Sequence, residues 1–223
     1  MRIFQDRRDA GKELAQLVAR KHYSKPVVLA LPRGGLAVAA EVARALKAPL
    51  DLVLVRKIGL PSQPELAVGA IVDGHDPVVV INKELQFFVD NHPEEFDRLK
   101  RRELEELERR RIVYLKDRPR APLEGKTVIV VDDGLATGAT ARAAIRALRR
   151  ARPAKLVLAI PVAPADTLVR LRKEVDDIIC VEAPREFYAI GLFYDEFAQL
   201  NDDDVRRYLA EFPMSDDSKA DNA

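Results

Sequence analysis

A single cysteine, Cys180, stands in a chain of 223 residues, so no internal disulfide can form. It lies in the apolar run Asp177-Ile178-Ile179-Cys180-Val181, which reads as a buried strand where a free cysteine packs as a small hydrophobe. Histidine is nearly as scarce. His22, His75 and His92 have no metal-ligand spacing and read as surface or loop residues. No apolar run approaches the ~20 residues of a membrane-spanning helix, and Met1 to Arg8 lack the apolar stretch of a secretory signal. An excess of one charge is missing too: 37 Lys and Arg face 36 Asp and Glu, for a formal net charge of +1. That balance gives no general pull toward nucleic acid or an anionic membrane. A charged ligand must therefore be captured by a local site. Together these absences read as a cytoplasmic protein without resident metal, nucleic-acid partner or membrane span.

What is present is a core. Hydrophobic residues make up 48% of the chain, enough for one α/β domain with an appendage. Runs rich in Val, Ile and Leu fall at Val27 to Leu31, Leu50 to Val55, Val78 to Ile81, Val128 to Val131, Leu156 to Ile160 and Ile178 to Val181. Continuous runs of this kind suit strands covered on both faces, as in a parallel sheet. Helical stretches alternate with them at Asp9 to His22, Leu36 to Leu46, Ala139 to Arg150 and Ala165 to Lys173. The expected fold class is α/β, a doubly wound, mostly parallel sheet with flanking helices. Residues 1–182 form this core, 183–214 a small C-terminal hood with a terminal helix, and the polar stretch 215–223 a disordered tail.

An insertion at about 83–118 interrupts the core. Within it, Pro93 to Arg118 carries Phe96, Leu99, Leu104, Leu107 and Tyr114 at loose helical spacing. It reads as a long solvated helix with one packed stripe, or else as a cover over the site or the arm of a homodimer.

The segment Val128-Ile129-Val130-Val131-Asp132-Asp133-Gly134-Leu135-Ala136-Thr137-Gly138-Ala139-Thr140 carries the chemistry. A buried strand stops at two adjacent acids, a small turn follows, and a helix begins near Ala139. Ligands of open α/β sheets bind at such strand ends. Gly138 lets the backbone of Ala136 to Thr140 turn its N–H groups inward. The helix N-terminus and the hydroxyls of Thr137 and Thr140 add donors, making a phosphate cradle. Asp132 and Asp133 would repel that phosphate and are better placed to accept from sugar hydroxyls. A phosphate beside a diol is a ribose 5-phosphate. The competing reading is an ordinary strand–turn–helix whose acids cap the helix.

This segment closely resembles the phosphoribosyl pyrophosphate motif of type I phosphoribosyltransferases. The resemblance implies that Asp132 and Asp133 hold the ribose hydroxyls, and that Ala136, Thr137, Gly138, Ala139 and Thr140 hold the 5-phosphate. Leu31-Pro32-Arg33-Gly34-Gly35 resembles the family's pyrophosphate loop, which often contains a cis peptide; one is expected near Arg33-Gly34. Arg33 supplies a bidentate fork, while Gly34 and Gly35 permit close approach. Arg56 and Lys57 then become stabilisers of the leaving group, ahead of a closing loop from Leu60 to Glu65, although two solvated basic residues at a strand end would look the same. Glu65 to Ile71 reads as a strand returning to the sheet. Phe187 to Phe197 resembles the base-holding segment of purine enzymes, with Phe187 or Phe193 as an aromatic contact or as packing of the cap.

The implied reaction displaces pyrophosphate from phosphoribosyl pyrophosphate with a nitrogen nucleophile, a nucleobase or other amine. Mg2+ is carried by the substrate. One departure stands out: Ala136 occupies the position where many purine enzymes carry an acidic general base. The orotate type also lacks that acid, and Glu65 is a candidate substitute. The departure keeps a second reading open, a regulator that binds phosphoribosyl pyrophosphate as a signal. A third is an interaction domain with no small-molecule site.

Overall fold

Strand ends and turns bring the acid pair, the small turn and the glycine loop to the carboxyl ends of two central strands. The computed structural model describes residues 3–60, 63–74, 77–116 and 118–214, apart from the side chains of Pro64 and Glu65. Helix α1 (Arg7–Ala19) leads into β1 (Pro26–Ala30), α2 (Gly35–Leu46) and β2 (Leu50–Leu52). Then come β3 (Val55–Leu60), β4 (Gln63–Val72), β5 (Val78–Ile81), α3 (Gln86–Asn91) and α4 (Pro93–Leu115). The chain returns through β6 (Thr127–Val131), α5 (Ala139–Leu148), β7 (Lys155–Val162), α6 (Ala165–Leu171) and β8 (Asp177–Glu182) to α7 (Asp202–Ala210).

Five strands form a parallel sheet in the order β2-β1-β6-β7-β8. Alternate residues on each strand serve opposite cores. Val28, Ala30, Ile129, Val131, Val157 and Ala159 join α1, α2 and α4 on one face. Val27, Leu29, Val128, Val130, Leu156 and Leu158 join α5 and α6 on the other. Both faces are covered, which is why these strands read as unbroken apolar runs rather than as alternating ones.

Two expected members of this sheet lie elsewhere. Leu50 to Val55 divides into β2 and β3, and β3, β4 and β5 form a separate antiparallel sheet in the order β3-β4-β5. The stretch from Glu65 to Ile71 therefore returns along β3, pairing Arg56 with Ile71 and Lys57 with Ala70, instead of entering the main sheet. Val78 to Ile81 is only half-buried on every residue. An apolar valine run alone does not distinguish such an edge strand from a central one.

Helix α4 is long and continuous, with Pro93 in its first turn and Glu94 and Glu95 facing the free N–H groups there. Its packed stripe is Phe96, Leu99, Glu103, Leu107 and Tyr114. Glu103 takes the place expected of Leu104, which is half-buried. Helix α7 contacts α2 and α4, and Arg118 ties it down by donating to the carbonyls of Leu209 (2.9 Å), Leu50 (2.8 Å) and Phe212. His22 and His92 are exposed, while His75 and Ser215 to Ala223 lie outside the described residues. The Cys180 thiol donates to the Glu182 carbonyl at 3.1 Å, and burial pushes its pKa up to about 11, so it is an unreactive thiol near neutral pH. Among the described residues, no helix is long and apolar enough to cross a membrane.

Candidate active site

The chain leaves β1 toward β2 on one side and β6 toward β7 on the other, so β1 and β6 flank the switch point of the sheet. They run in register, Ala30 beside Val131, and the Leu31 N–H donates to the Val131 carbonyl at 2.9 Å. The loops that follow the two strands must therefore emerge side by side. One carries Arg33, Gly34 and Gly35, the other Asp132 to Thr140.

Their closeness accounts for the glycines. A Cβ on Gly34 would lie 1.9 Å from Asp133 Oδ2, and one on Gly35 would lie 2.8 Å from Asp132 Cα and 2.9 Å from the Val131 carbonyl. These distances are below what real Cβ atoms tolerate, so the first loop can close over the acid pair only without side chains at these positions. The sequence reading assigned the glycines to ligand approach; the structure shows them approaching the acids. The cis peptide expected in this loop is present one bond earlier, at Pro32–Arg33.

Asp133 is held by a residue that sequence reasoning missed. Arg7 Nε donates to Asp133 Oδ2 at 2.7 Å, and the two side chains are only 10% and 13% exposed. Arg7 Nη1 donates to the Ala198 carbonyl at 2.7 Å, and the guanidinium lies 3.8 Å over the Phe197 ring. The Tyr194 hydroxyl donates to the Asp133 backbone carbonyl at 2.5 Å, and burial holds that hydroxyl protonated by pushing its pKa far up. Asp132 caps the next peptide, accepting from the Asp133 N–H at 2.9 Å. Burial, reinforced by the neighbouring Asp133 charge, raises the Asp132 pKa well above the usual carboxylate range. The two adjacent acids are thus unequal: one is paired with a cation and the other has its pKa raised by burial.

The turn after them has the expected form. Gly138 adopts φ +75 and caps α5, a left-handed conformation that glycine takes without strain. The Thr167 hydroxyl donates to the Ala136 carbonyl at 2.9 Å, steadying the loop from below. Ala136, Thr137 and Ala139 are exposed at the loop surface, Thr140 is half-exposed, and Gly138 is buried against Thr167 and Leu171 of α6. The backbone N–H groups of Thr137, Gly138 and Thr140 meet no acceptor among the described residues. These donors at a helix N-terminus form an open anion cradle.

The basic candidates part company. Arg56 and Lys57 project to opposite sides of β3 because successive strand residues alternate. Lys57 is exposed and lines a groove of about 190 Å³ together with Thr137 and Ala139 of the cradle. Arg56 instead donates from Nε (2.9 Å) and Nη2 (2.7 Å) to Glu103 Oε2 on α4. Arg33 reaches Asp202 at the start of α7, at 3.6 Å, and Tyr114 of α4 donates to the same carboxylate at 2.7 Å. Two of the three cations expected at the pyrophosphate end are therefore paired with carboxylates from the helical additions.

Among the aromatics, Phe193 is 1% exposed and packs with Phe4, Ala10, Val162 and Tyr194. It has no free face, so the expected base contact gives way to a packing role. Phe187 is half-buried and stacks on Phe193 with centroids 5.4 Å apart. The side chain of Glu65 lies outside the described residues. No group of three or more His, Cys, Asp or Glu among the described residues could hold a metal ion.

Residues 3–195 match the family model described as phosphoribosyl transferase domain. Two proteins of Mycobacterium tuberculosis, "Putative phosphoribosyl transferase MT0597" (strain CDC 1551 / Oshkosh) and "Putative phosphoribosyl transferase Rv0571c" (strain ATCC 25618 / H37Rv), are each 44% identical over 209 residues, or 94% of this chain. The chain spans about half the length of these curated relatives, 47% of each. Among solved structures, TT1426 from Thermus thermophilus is 39% identical with a TM-score of 0.84, covering 96% of this chain and 100% of that one. With the acid pair, the open cradle and the glycine loop gathered at the switch point of the sheet, the chain belongs to the phosphoribosyl transferase domain family.

Proposed function

We propose that the protein transfers ribose 5-phosphate from phosphoribosyl pyrophosphate to a nitrogen acceptor, a nucleobase or other amine, with release of pyrophosphate. The observation that carries this reading is the open cradle at Ala136 to Thr140 beside an acid pair in which Arg7 fixes Asp133. The cradle takes the 5-phosphate, and Asp132 and Asp133 accept from the ribose hydroxyls. Arg33 and Lys57 receive the departing pyrophosphate, joined by Arg56 when it exchanges Glu103 for substrate oxygens. Fixed donors of this kind act where negative charge develops in the transition state.

Asp133 is engaged by Arg7 and Asp132 accepts from the Asp133 N–H, so the pair suits outer hydrogen bonding better than direct ligation of a cation. Mg2+ bound by the substrate's own pyrophosphate and hydroxyl oxygens would neutralise leaving-group charge and retain its waters. Phe187 is the aromatic candidate for the acceptor. A cytoplasmic location and a homodimer through α4 belong to the same reading; a concentration-independent monomer mass in light scattering removes the dimer.

A sensing role is the second reading, and Ala136 favours it, because it leaves the usual acid position empty. Calorimetric titration of phosphoribosyl pyrophosphate with magnesium into wild type and an Asp132→Asn/Asp133→Asn variant tests the donor site. Binding by wild type that the variant loses supports it, and no binding by folded wild type overturns it. Pyrophosphate release with a panel of purine, pyrimidine and amine acceptors then separates enzyme from sensor.

A further inference from the structure

At the amino ends of β1, β2 and β6, the end of the sheet opposite the acid pair, a groove of about 970 Å³ runs between the close of α2, the loop before β6 and the segment after α7. Strand β6 is five residues long, which puts the groove roughly 17 Å from Asp132. Five cationic side chains line it, Lys25, Arg44, Lys47, Arg120 and Lys126, with one carboxylate, Glu211. The ion pairs here join Arg44 to Glu41 and Glu211, and Arg120 to Asp73. Lys25, Lys47 and Lys126 are left without an ion-pair partner among the described residues.

Lys47 is the C-cap of α2, where the helix end itself attracts a cation. The other two lysines have no such reason to be there. The parallel register that pairs Pro26 with Thr127 puts Lys25 beside Lys126, and like charges side by side on neighbouring strands are destabilising. An anion between them offsets that cost. The rest of the lining is of another kind, with Pro26, Pro49, Pro122 and Pro213 beside Phe212 and Met214. Proline rings bring apolar surface and no backbone N–H, so this wall offers no donor to a phosphate.

We infer that this groove binds a nucleoside polyphosphate, its phosphates between Lys25 and Lys126 and its nucleoside against the prolines and Phe212. Lysine ammonium groups hold phosphates as point charges, and two of them side by side match a ligand with at least two negative charges. A bare phosphate chain would leave the apolar wall uncovered, whereas a flat base can pack on it. The volume falls within the ~300–1,000 Å³ of ordinary ligand pockets. The site does not rest on the transfer reaction proposed above, since strand starts build it and strand ends build the donor cradle.

Adenosine triphosphate, titrated without magnesium by calorimetry, is the probe. Wild type is compared with Lys25→Gln/Lys126→Gln and with Gly34→Ala, whose added methyl meets Asp133 Oδ2 in the donor site. Lys25 is exposed and Lys126 half-exposed, so the glutamines leave the core intact, and circular dichroism checks this. Binding should weaken about tenfold or more in the lysine variant and stay unchanged in Gly34→Ala. It should also be tighter than that of inorganic tripolyphosphate. Equal affinity of wild type and the lysine variant overturns the inference, as does absence of binding to wild type. Loss in Gly34→Ala also overturns it, by putting the nucleotide in the donor site, and leaves the donor reading standing. Tripolyphosphate that binds as tightly as the nucleotide overturns the assigned ligand, because the apolar wall then contributes nothing.

Discussion

Arg7 begins a helix, where its charge opposes the partial positive charge of the free N–H groups. What it gains instead is Asp133, the Ala198 carbonyl and the face of Phe197. Removing one partner of a buried pair leaves the other charge uncompensated, a loss of about 3 kcal/mol. Arg7→Ala should therefore lower Tm by roughly 6–12 °C at this chain length, and calorimetry should show donor binding lost with it. The glycines make a sharper contrast. A methyl on Gly34 meets the Asp133 side chain, whereas one on Gly35 meets the backbone of Asp132 and Val131. Gly34→Ala should abolish donor binding with a modest change in Tm, while Gly35→Ala should lower Tm strongly.

Asp132 sets a pH dependence. Its raised pKa means that the folded chain takes up a proton at higher pH than the unfolded chain does. Stability from this group is present at low pH and is lost as pH rises through the folded value. Asp132→Asn should accordingly raise Tm at neutral pH, with a gain that shrinks on acidification; a gain independent of pH would contradict the assignment. The acids and the cradle were legible in the sequence because strand, acids, turn and helix are contiguous there. Arg7 was not, since it lies 126 positions from its partner. The one signal available was a basic residue at a helix start, where an acidic one is favoured.

At the scale of elements, α4 shows how a pattern can be nearly right. The sequence supported one long helix with an apolar stripe, and the structure puts Glu103 on that stripe in place of Leu104. An acid on a packed face needs a cation opposite, which is a readable signal for Arg56. Strands β4 and β5 were read as strands, but the sheet they join with β3 was not, for a different reason: apolar runs report burial, and partner choice depends on turns that single residues encode weakly. The helical additions are also tied to one another near the site. Tyr114→Phe removes its donation to Asp202 and should cost about 1 kcal/mol. That is a fall of roughly 2–4 °C in Tm, with the Arg33–Asp202 pair left in place.

Across the whole molecule, the first and last parts of the chain meet at the hood. The Phe4 N–H donates to the Phe193 carbonyl at 2.8 Å, and the Asp195 N–H donates to the Phe4 carbonyl at 2.9 Å. The rings of Phe4 and Tyr194 also pack against each other, tilted, with centroids 5.5 Å apart. These bonds carry α1 to the acid pair, so the donor site draws on residues from Arg7 to Ala198. The general architecture was legible because both-face burial marks the parallel strands. The closure of the hood on the N-terminal segment was not, because its backbone bonds and its contacts of Phe4 with Phe193 and Tyr194 join positions far apart in the chain.

That closure makes the site a late event in the life of the chain. Contacts between distant positions must wait for the intervening segments to order, and on the ribosome Arg7 is synthesised long before Ala198 emerges to receive it. In refolding followed by stopped flow, far-ultraviolet ellipticity of the sheet and helices should recover ahead of ligand binding. An Arg7→Ala chain should regain its ellipticity at nearly the wild-type rate and lack the slower phase. An unfinished chain, however well its sheet has formed, would hold the acid pair and Arg7 without the hood that fixes the arginine in place. Donor capture would thus be confined to molecules whose synthesis has passed the hood.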